Sequence, residues 1–216
     1  MSMGIIAVVI AYLLGSIPAA YIATRLLTGK DIRQLGAGSV GANNVYRHVG
    51  RVAAVAVGLF DVGKGAAAVA IASWLVGVPN LHEIGTDQVF VLAAGLAVVA
   101  GHIWPVYLKF RGGNGLTTAI GVLSLLTTRE LMIAFAISLL ILAISRNPVL
   151  SANISLLFMV PISALFFKES WLVFIFILGL MLMLVLHFLP TAKAALAKAK
   201  NKEALLADLM RIERSK

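Results

Sequence analysis

The amino-acid sequence predicts an all-α, polytopic membrane protein with about seven transmembrane helices, its N-terminus outside and its C-terminus in the cytoplasm. Three observations carry this. First, 61% of the 216 residues are hydrophobic and only 12% are charged, whereas soluble domains carry about a quarter charged residues. So little polar surface cannot cover a globular core, so lipid must solvate most of the chain. Second, uncharged apolar stretches recur at about the 20-residue length that a bilayer demands. Third, the basic residues gather in alternate connections, as the bias of Lys and Arg toward cytoplasmic loops requires.

The apolar stretches run over residues 4–24, 65–81, 88–108, 112–128, 131–145, 147–167 and 170–192. The first has no basic residue before Gly4 and is followed by positive charge, so it reads as a retained helix and not a cleaved signal. The second is expected to start earlier, near Val52, and to carry Asp61 and Lys64 into the membrane. The stretches at 112–128 and 131–145 are short, so each spans with tilted neighbours or re-enters the face it left. With seven crossings, all but Lys64, Arg129 and Lys168 of the 18 basic residues fall on one side. They are Arg25, Lys30, Arg33, Arg47 and Arg51 after the first helix, Lys109 and Arg111 after the third, Arg146 after the fifth, and the tail from Lys193. The net charge of +9 therefore follows the membrane, and no nucleic-acid partner is expected. Residues 1–192 form the membrane domain. Residues 193–216, rich in Ala, Lys and Leu, read as an amphipathic helix lying on anionic headgroups. The chain has no cysteine, which excludes disulfides and thiolate metal sites; neither metal nor cofactor is expected.

Two loops on the basic side could carry chemistry. In Asp31–Arg47, the glycines Gly36, Gly38 and Gly41 alternate with small or amide residues between arginines. Glycine lets backbone N–H groups approach a phosphate closely, and a helix start adds its dipole. Arg33 and Arg47 could add bidentate contacts to phosphate oxygens. A flexible, positively charged loop accounts for the same composition. The second loop, Gly101–Gly115, holds His102, Arg111, Gly112, Gly113, Asn114 and Gly115. Glycine-interrupted backbone at membrane depth persists only where it is packed in protein or lines a cavity. Two such loops on one face therefore point to a shared, water-accessible anion site. Asp61 and Lys64, three apart on one helix, share a face and can pair. Intramembrane charges commonly line functional cavities, although a pair that only fixes packing is the competing reading. His102 alone is read either as a packing group or as a proton carrier.

Five segments, in order and spacing, resemble the bacterial acyl-phosphate:glycerol-3-phosphate acyltransferase family (PlsY type) over residues 8–120. They are Tyr12-Leu-Leu-Gly-Ser-Ile-Pro18, the glycine loop ending in Asn44-x-x-Arg47, Asp61-x-x-Lys64-Gly65, Gly101-His-x-x-Pro105 and Phe110-Arg-Gly-Gly-x-Gly115. The resemblance implies a seven-helix inner-membrane enzyme that needs no metal or nucleotide. Such an enzyme moves a fatty acyl group from acyl phosphate to the 1-hydroxyl of glycerol 3-phosphate, giving lysophosphatidic acid. At the matching positions it implies Asn44, Arg47 and His102 as catalytic residues. Asn44 would hydrogen-bond a hydroxyl or oxyanion, Arg47 would hold phosphate, and His102 would orient or exchange a proton. It implies substrate-binding roles for Gly38, Ser39, Gly41, Asn43, Lys64, Arg111, Gly112, Gly113, Asn114, Gly115 and His187. Acyl phosphate is already activated, so the protein's tasks would be positioning and stabilisation of negative charge.

The chain departs from the family pattern at several positions. Ala37, Ser39 and Asn43 stand where the first motif has Ser, Asn and Thr, and Asn114 stands where the second has Lys. His187 is followed three residues later by Pro190 where the third motif has Asn. Two other readings use the same residues: a protein that binds a phosphorylated lipid without turnover, and a small anion or lipid transporter. No internal repeat supports the transporter. His82 and Asp87 repeat the H-x4-D spacing of soluble-type glycerolipid acyltransferases, but they fall in an outer loop away from the basic glycine loops and are set aside.

Overall fold

The computed structural model describes residues 2–36, 38–81, 87–146, 148–166 and 171–198. These residues are helical throughout apart from their connections, and the chain divides into two compact units, Met1–Leu126 and Thr127–Lys216. The first unit contains α1 (Ser2–Ser16), α2 (Ala19–Thr28), α3 (Ala42–His48), α4 (Arg51–Val76), α5 (Gln88–Ile103) and α6 (Leu116–Leu126), with 3-10 turns at Ile32–Gln34 and Val106–Leu108. The second contains α7 (Thr128–Ser145), α8 (Pro148–Leu157), α9 (Met159–Phe166) and α10 (Trp171–Lys198).

Among the described residues, five helical stretches are long and apolar enough to cross a membrane: Ser2–Thr28, Arg51–Val76, Gln88–Leu108, Thr128–Ser145 and Trp171–Leu189. The second does start at Arg51, with Asp61 and Lys64 inside it. Two expected stretches are shorter as helices than as apolar sequence. The run at 112–128 yields only the 11 residues of α6 before α7 begins at Thr128, because Gly112-Gly-Asn-Gly115 forms a loop and Gly115 takes a left-handed φ of 79°. Residues 147–167 divide into α8 and α9 at Phe158.

The first stretch is also broken, where one continuous helix was expected. Proline has no N–H to donate and its ring disfavours helical backbone at the preceding residue, so α1 stops at Ser16 and α2 restarts after Pro18. In lipid, helices associate by close van der Waals packing more than by apolar burial. Glycines supply that closeness here. A Cβ at Gly15 would strike the Val98 carbonyl of α5, and one at Gly101 would strike the Tyr12 carbonyl of α1. Gly65 and Gly121 bring α4 and α6 together in the same reciprocal way. Tyr12 Oη completes the α1–α5 contact by donating to the Trp104 carbonyl at 2.8 Å. Beneath the first loop, a buried cluster of Ala20, Ile32, Val40, Val45, Val57 and Leu108 gives the irregular chain its own small core.

Candidate active site

The first loop is organised by its own polar residues. The Asp31 carboxylate caps the 3-10 turn by accepting from the Arg33 backbone N–H at 2.9 Å. It also takes the Arg33 guanidinium in a two-pronged contact, Nε to Oδ1 at 3.0 Å and Nη2 to Oδ2 at 2.7 Å. The guanidinium lies 5.3 Å over the Tyr21 ring. Hydrogen bonding from Arg33 holds the Asp31 carboxyl below its ordinary value, and Asp31 in turn raises that of Arg33. Arg33, read from sequence as a phosphate contact, is thus engaged inside the fold. Asn44 is buried, and its side-chain amide donates to three carbonyls of the loop: Ile32 at 3.2 Å, Leu35 at 3.0 Å and Ser39 at 2.9 Å. That draws the strand of chain from Ile32 to Ser39 around one side chain. Gly36 and Gly38 allow the curvature with φ of 54° and 73°.

The second loop folds back on the end of α5. Lys109 and Phe110 both adopt left-handed φ, 55° and 62°, a conformation that costs non-glycine residues about 1 kcal/mol or more each. The reversal lets Gly112 N–H donate to the Ile103 carbonyl and Gly113 N–H to the His102 carbonyl, each at 3.1 Å. Val40 N–H donates to the Gly112 carbonyl at 3.2 Å, which joins the two glycine loops. Side chains would not fit here. A Cβ at Gly112 would collide with the His102 carbonyl, and one at Gly113 with His102 Nε2 and the Val40 carbonyl.

Under this junction lie three buried ionisable groups. Lys64 Nζ is 2.8 Å from Asp61 Oδ1, and His102 Nδ1 is 3.4 Å from the same oxygen. Lys64 also donates to the Ile17 carbonyl at 3.1 Å, at the helix break made by Pro18. The three line a small, partly open cavity of ≈ 10 Å³, whose remaining walls are Gly15–Ala19, Val40, Pro105 and Gly112. A site of this kind has a cation in its floor and an imidazole beside it. It can hold an anionic group and orient a hydroxyl.

Of the residues singled out from sequence, Lys64, His102 and Gly112 line this cavity, and Gly113 packs on His102. Gly38, Ser39 and Gly41 flank Val40 in the first loop. Asn43 and Arg47 are exposed on α3, Arg111 and Asn114 are exposed on the second loop, and Gly115 is buried where α6 begins. His187 lies on α10 in the second unit. Ala37, His82 and the tail beyond Lys198 lie outside the described residues. Asp61 was read from sequence as the pairing partner of Lys64, without a role in the site, and the structure sets it in the cavity wall. The Ile17 carbonyl was not among the sequence candidates; the signal that could have found it is a proline inside an apolar span. Among the described residues, no group of three His, Cys, Asp or Glu side chains is placed to hold a metal ion.

Comparison with known proteins bears on this geometry. Residues 5–197 match the family described as glycerol-3-phosphate acyltransferase. Glycerol-3-phosphate acyltransferase 1 of Dehalococcoides mccartyi (strain ATCC BAA-2266 / KCTC 15142 / 195) is 37% identical, over 92% of this chain and 94% of its own. The glycerol-3-phosphate acyltransferase of Thermoanaerobacter sp. (strain X514) is 36% identical over the same shares. The fold is similar to that of PlsY (YgiH), solved as an integral membrane glycerol 3-phosphate acyltransferase in its glycerol 3-phosphate form, with a TM-score of 0.77 and 27% identity over 90% of this chain and 92% of that one. The lysophosphatidic acid form of that protein gives a TM-score of 0.73 at 25% identity.

Proposed function

This chain belongs to the glycerol-3-phosphate acyltransferase family, and from that premise we propose that the cavity beneath its two glycine loops is where acyl transfer takes place. The protein is an integral membrane acyltransferase that acylates glycerol 3-phosphate in phospholipid synthesis. The relatives' shared activity favours this over binding without turnover and over transport. The observation that carries the assignment of the site is the Val40–Gly112 hydrogen bond, since it sets both glycine loops over buried Lys64 and His102.

The donor in this reading is acyl phosphate. The 1-hydroxyl oxygen of glycerol 3-phosphate attacks the acyl carbonyl carbon, an ester C–O bond forms, and the C–O bond to phosphate breaks. Inorganic phosphate departs with the electron pair, and the hydroxyl proton leaves toward His102 or toward that phosphate. Because the donor is an activated anhydride, holding the two phosphates and orienting the hydroxyl supply most of the acceleration. Lys64, Arg47 and Arg111 offer the cationic charge, while the N–H groups of Val40, Gly112 and Gly113 are taken up in holding the two loops to each other and to α5. His102 offers the nitrogen that orients the hydroxyl. Asn44 acts one step away, by holding the first loop in shape. The acyl chain and the product remain in contact with membrane lipid.

The topology in this reading is seven crossings of the bacterial inner membrane, N-terminus outside. The sidedness of the basic residues supports it, with α6 as a short crossing and α8 and α9 as the two halves of a broken one. The tail 193–216 rests on anionic lipid. The test of function is purified protein in detergent given acyl phosphate and glycerol 3-phosphate, with lysophosphatidate and inorganic phosphate measured in parallel. Equal release of both is expected. Saturable acyl-phosphate binding with no product would overturn the reading.

A further inference from the structure

The cavity floor is arranged around one side chain, Asp61. Its Oδ1 faces Lys64 Nζ at 2.8 Å and His102 Nδ1 at 3.4 Å, and each of those partners reaches a different wall. Lys64 donates to the Ile17 carbonyl at the α1–α2 break. The His102 ring lies directly beneath Gly113, whose N–H donates to the His102 carbonyl. All three side chains are almost entirely withdrawn from solvent. Both contacts fall on the single oxygen Oδ1, so the ammonium and the imidazole are placed by the same atom.

A buried ion pair is a poor way to stabilise a fold. Its desolvation can exceed its attraction, and replacing both partners by apolar residues is often neutral or stabilising. Charges kept inside a membrane are expensive and are usually there for function. The resting positions of both cavity walls, one made by the broken span and one by the second glycine loop, run through the same oxygen atom.

We propose that Asp61 is a positioning residue for the acyl transfer, fixing the His102 ring with Nε2 toward the glycine loop while holding Lys64 against the break at Ile17. It touches no reacting atom. It sets the register between the group that orients the hydroxyl and the cation that faces the phosphate. The inference rests on the reading that this cavity is the site of acyl transfer.

The experiment compares Asp61→Asn, Lys64→Met, Lys64→Arg and the double variant Asp61→Asn/Lys64→Met, purified in detergent, at matched amounts of folded protein. Heat resistance is measured beside steady-state kinetics for acyl phosphate and glycerol 3-phosphate. The double variant leaves no lone buried charge, so it is expected to match the wild type in heat resistance. Asp61→Asn, which keeps the Lys64 cation, is expected to lose kcat about tenfold to a hundredfold, with KM for glycerol 3-phosphate changed by less than ~3-fold. The double variant also removes the cation that faces the phosphate, so its KM should rise besides. Lys64→Arg, which keeps the charge, should retain more kcat than Lys64→Met. If Asp61 serves folding only, Asp61→Asn that folds keeps wild-type kcat, and the proposal is overturned. A raised KM at unchanged kcat in Asp61→Asn overturns it as well, since Asp61 would then act in substrate binding. If Asp61→Asn fails to fold, the double variant decides by comparison with Lys64→Met, an equal kcat in the two overturning the proposal. A wild-type protein without turnover defeats the acyltransferase reading of the cavity instead, and is distinguishable because every variant is scored against it.

Discussion

Replacing Asn44 separates a residue that organises the site from one that touches substrate. Its side-chain amide has two hydrogens and serves three carbonyls, Ile32, Leu35 and Ser39, so it makes about two full bonds shared three ways. A net hydrogen bond contributes about 0.5–1.5 kcal/mol, and a buried carbonyl left without a partner costs about 1–3 kcal/mol. Asn44→Ala should therefore ease opening of the loop by about 1–3 kcal/mol. Asn44→Asp should do more, because it sets carboxylate lone pairs against three carbonyl oxygens in a buried site. The assay is limited tryptic cleavage at Arg33, which samples local opening when opening is fast relative to cutting. Cleavage should accelerate about tenfold to a hundredfold for Asn44→Ala, at about 1.4 kcal/mol per decade, and further for Asn44→Asp. The loss of activity should track the loss of loop protection across the two variants. Unchanged protection at Arg33 together with a fall in kcat would refute this reasoning and return Asn44 to direct contact with substrate.

Gly113→Ala places a methyl group against His102 Nε2 and the Val40 carbonyl; overpacking of this kind costs about 1–3 kcal/mol, and kcat should fall while the helices stay folded, as circular dichroism would show. Asn114→Lys restores a cation on the exposed face of the second loop and should lower KM for glycerol 3-phosphate several-fold, by about the 0.5–1 kcal/mol of an exposed charge contact; an unchanged KM would remove position 114 from phosphate binding. Because Arg33 depresses the Asp31 carboxyl, their pairing supports the loop above the ordinary carboxylate range and is lost as pH falls through the depressed value. Loop protection should therefore be flat from neutral pH down to about 5 and fall only below about 4, and Asp31→Asn should abolish that step. Pro18→Ala permits α1 and α2 to join; activity should drop because the Ile17 carbonyl is withdrawn from Lys64, and heat resistance should fall rather than rise, since Pro18 already stands at a helix break and the buried ammonium loses an acceptor. Single cysteines introduced at Lys30, Lys109 and Arg146 into this cysteine-free chain should resist a membrane-impermeant thiol reagent in intact cells and react after lysis; labelling in intact cells would reverse the assigned orientation.

The extent of the membrane helices was legible because it depends on composition alone. An uncharged apolar run has one stable answer in lipid, and α5, α7 and α10 lie where those runs do, while α4 starts well before its run, at Arg51, and takes Asp61 and Lys64 with it. What composition cannot report is where such a run stops being helical. Pro18 sits inside an apolar stretch, and a hydropathy reading passes over it, although its missing N–H ends α1 at Ser16. The run at 112–128 lost its first turn to Gly112–Gly115 for the same reason: glycine is apolar by count and non-helical by backbone freedom. The site was half legible. His102, Lys64 and the two glycine loops stood out by residue type, yet their joint position depends on the Val40–Gly112 contact between residues 72 apart, which no local pattern encodes. Charge counting treats every loop arginine alike, and it does not report that Arg33 shares its guanidinium with a neighbour. Whether an arginine is free to meet a phosphate depends on its neighbours, and Asp31 two residues earlier already holds this one.

The two helix interruptions and the buried charges make sense together. A continuous helix satisfies its own carbonyls and offers none to a side chain; only a broken one at membrane depth leaves a carbonyl that a lysine can reach. Ile17 is such a carbonyl, and Lys64 meets it. An ammonium there needs a counter-charge to remain ionised, and Asp61 on the same helix face provides it at 2.8 Å. Asp61 then also faces the imidazole at the end of α5, where glycine is required for the second loop to close over the ring. Each feature demands the next, from Pro18 to Gly113. The chain of demands ends at a cavity with a cation in its floor, and the proposed site of acyl transfer rests on that arrangement.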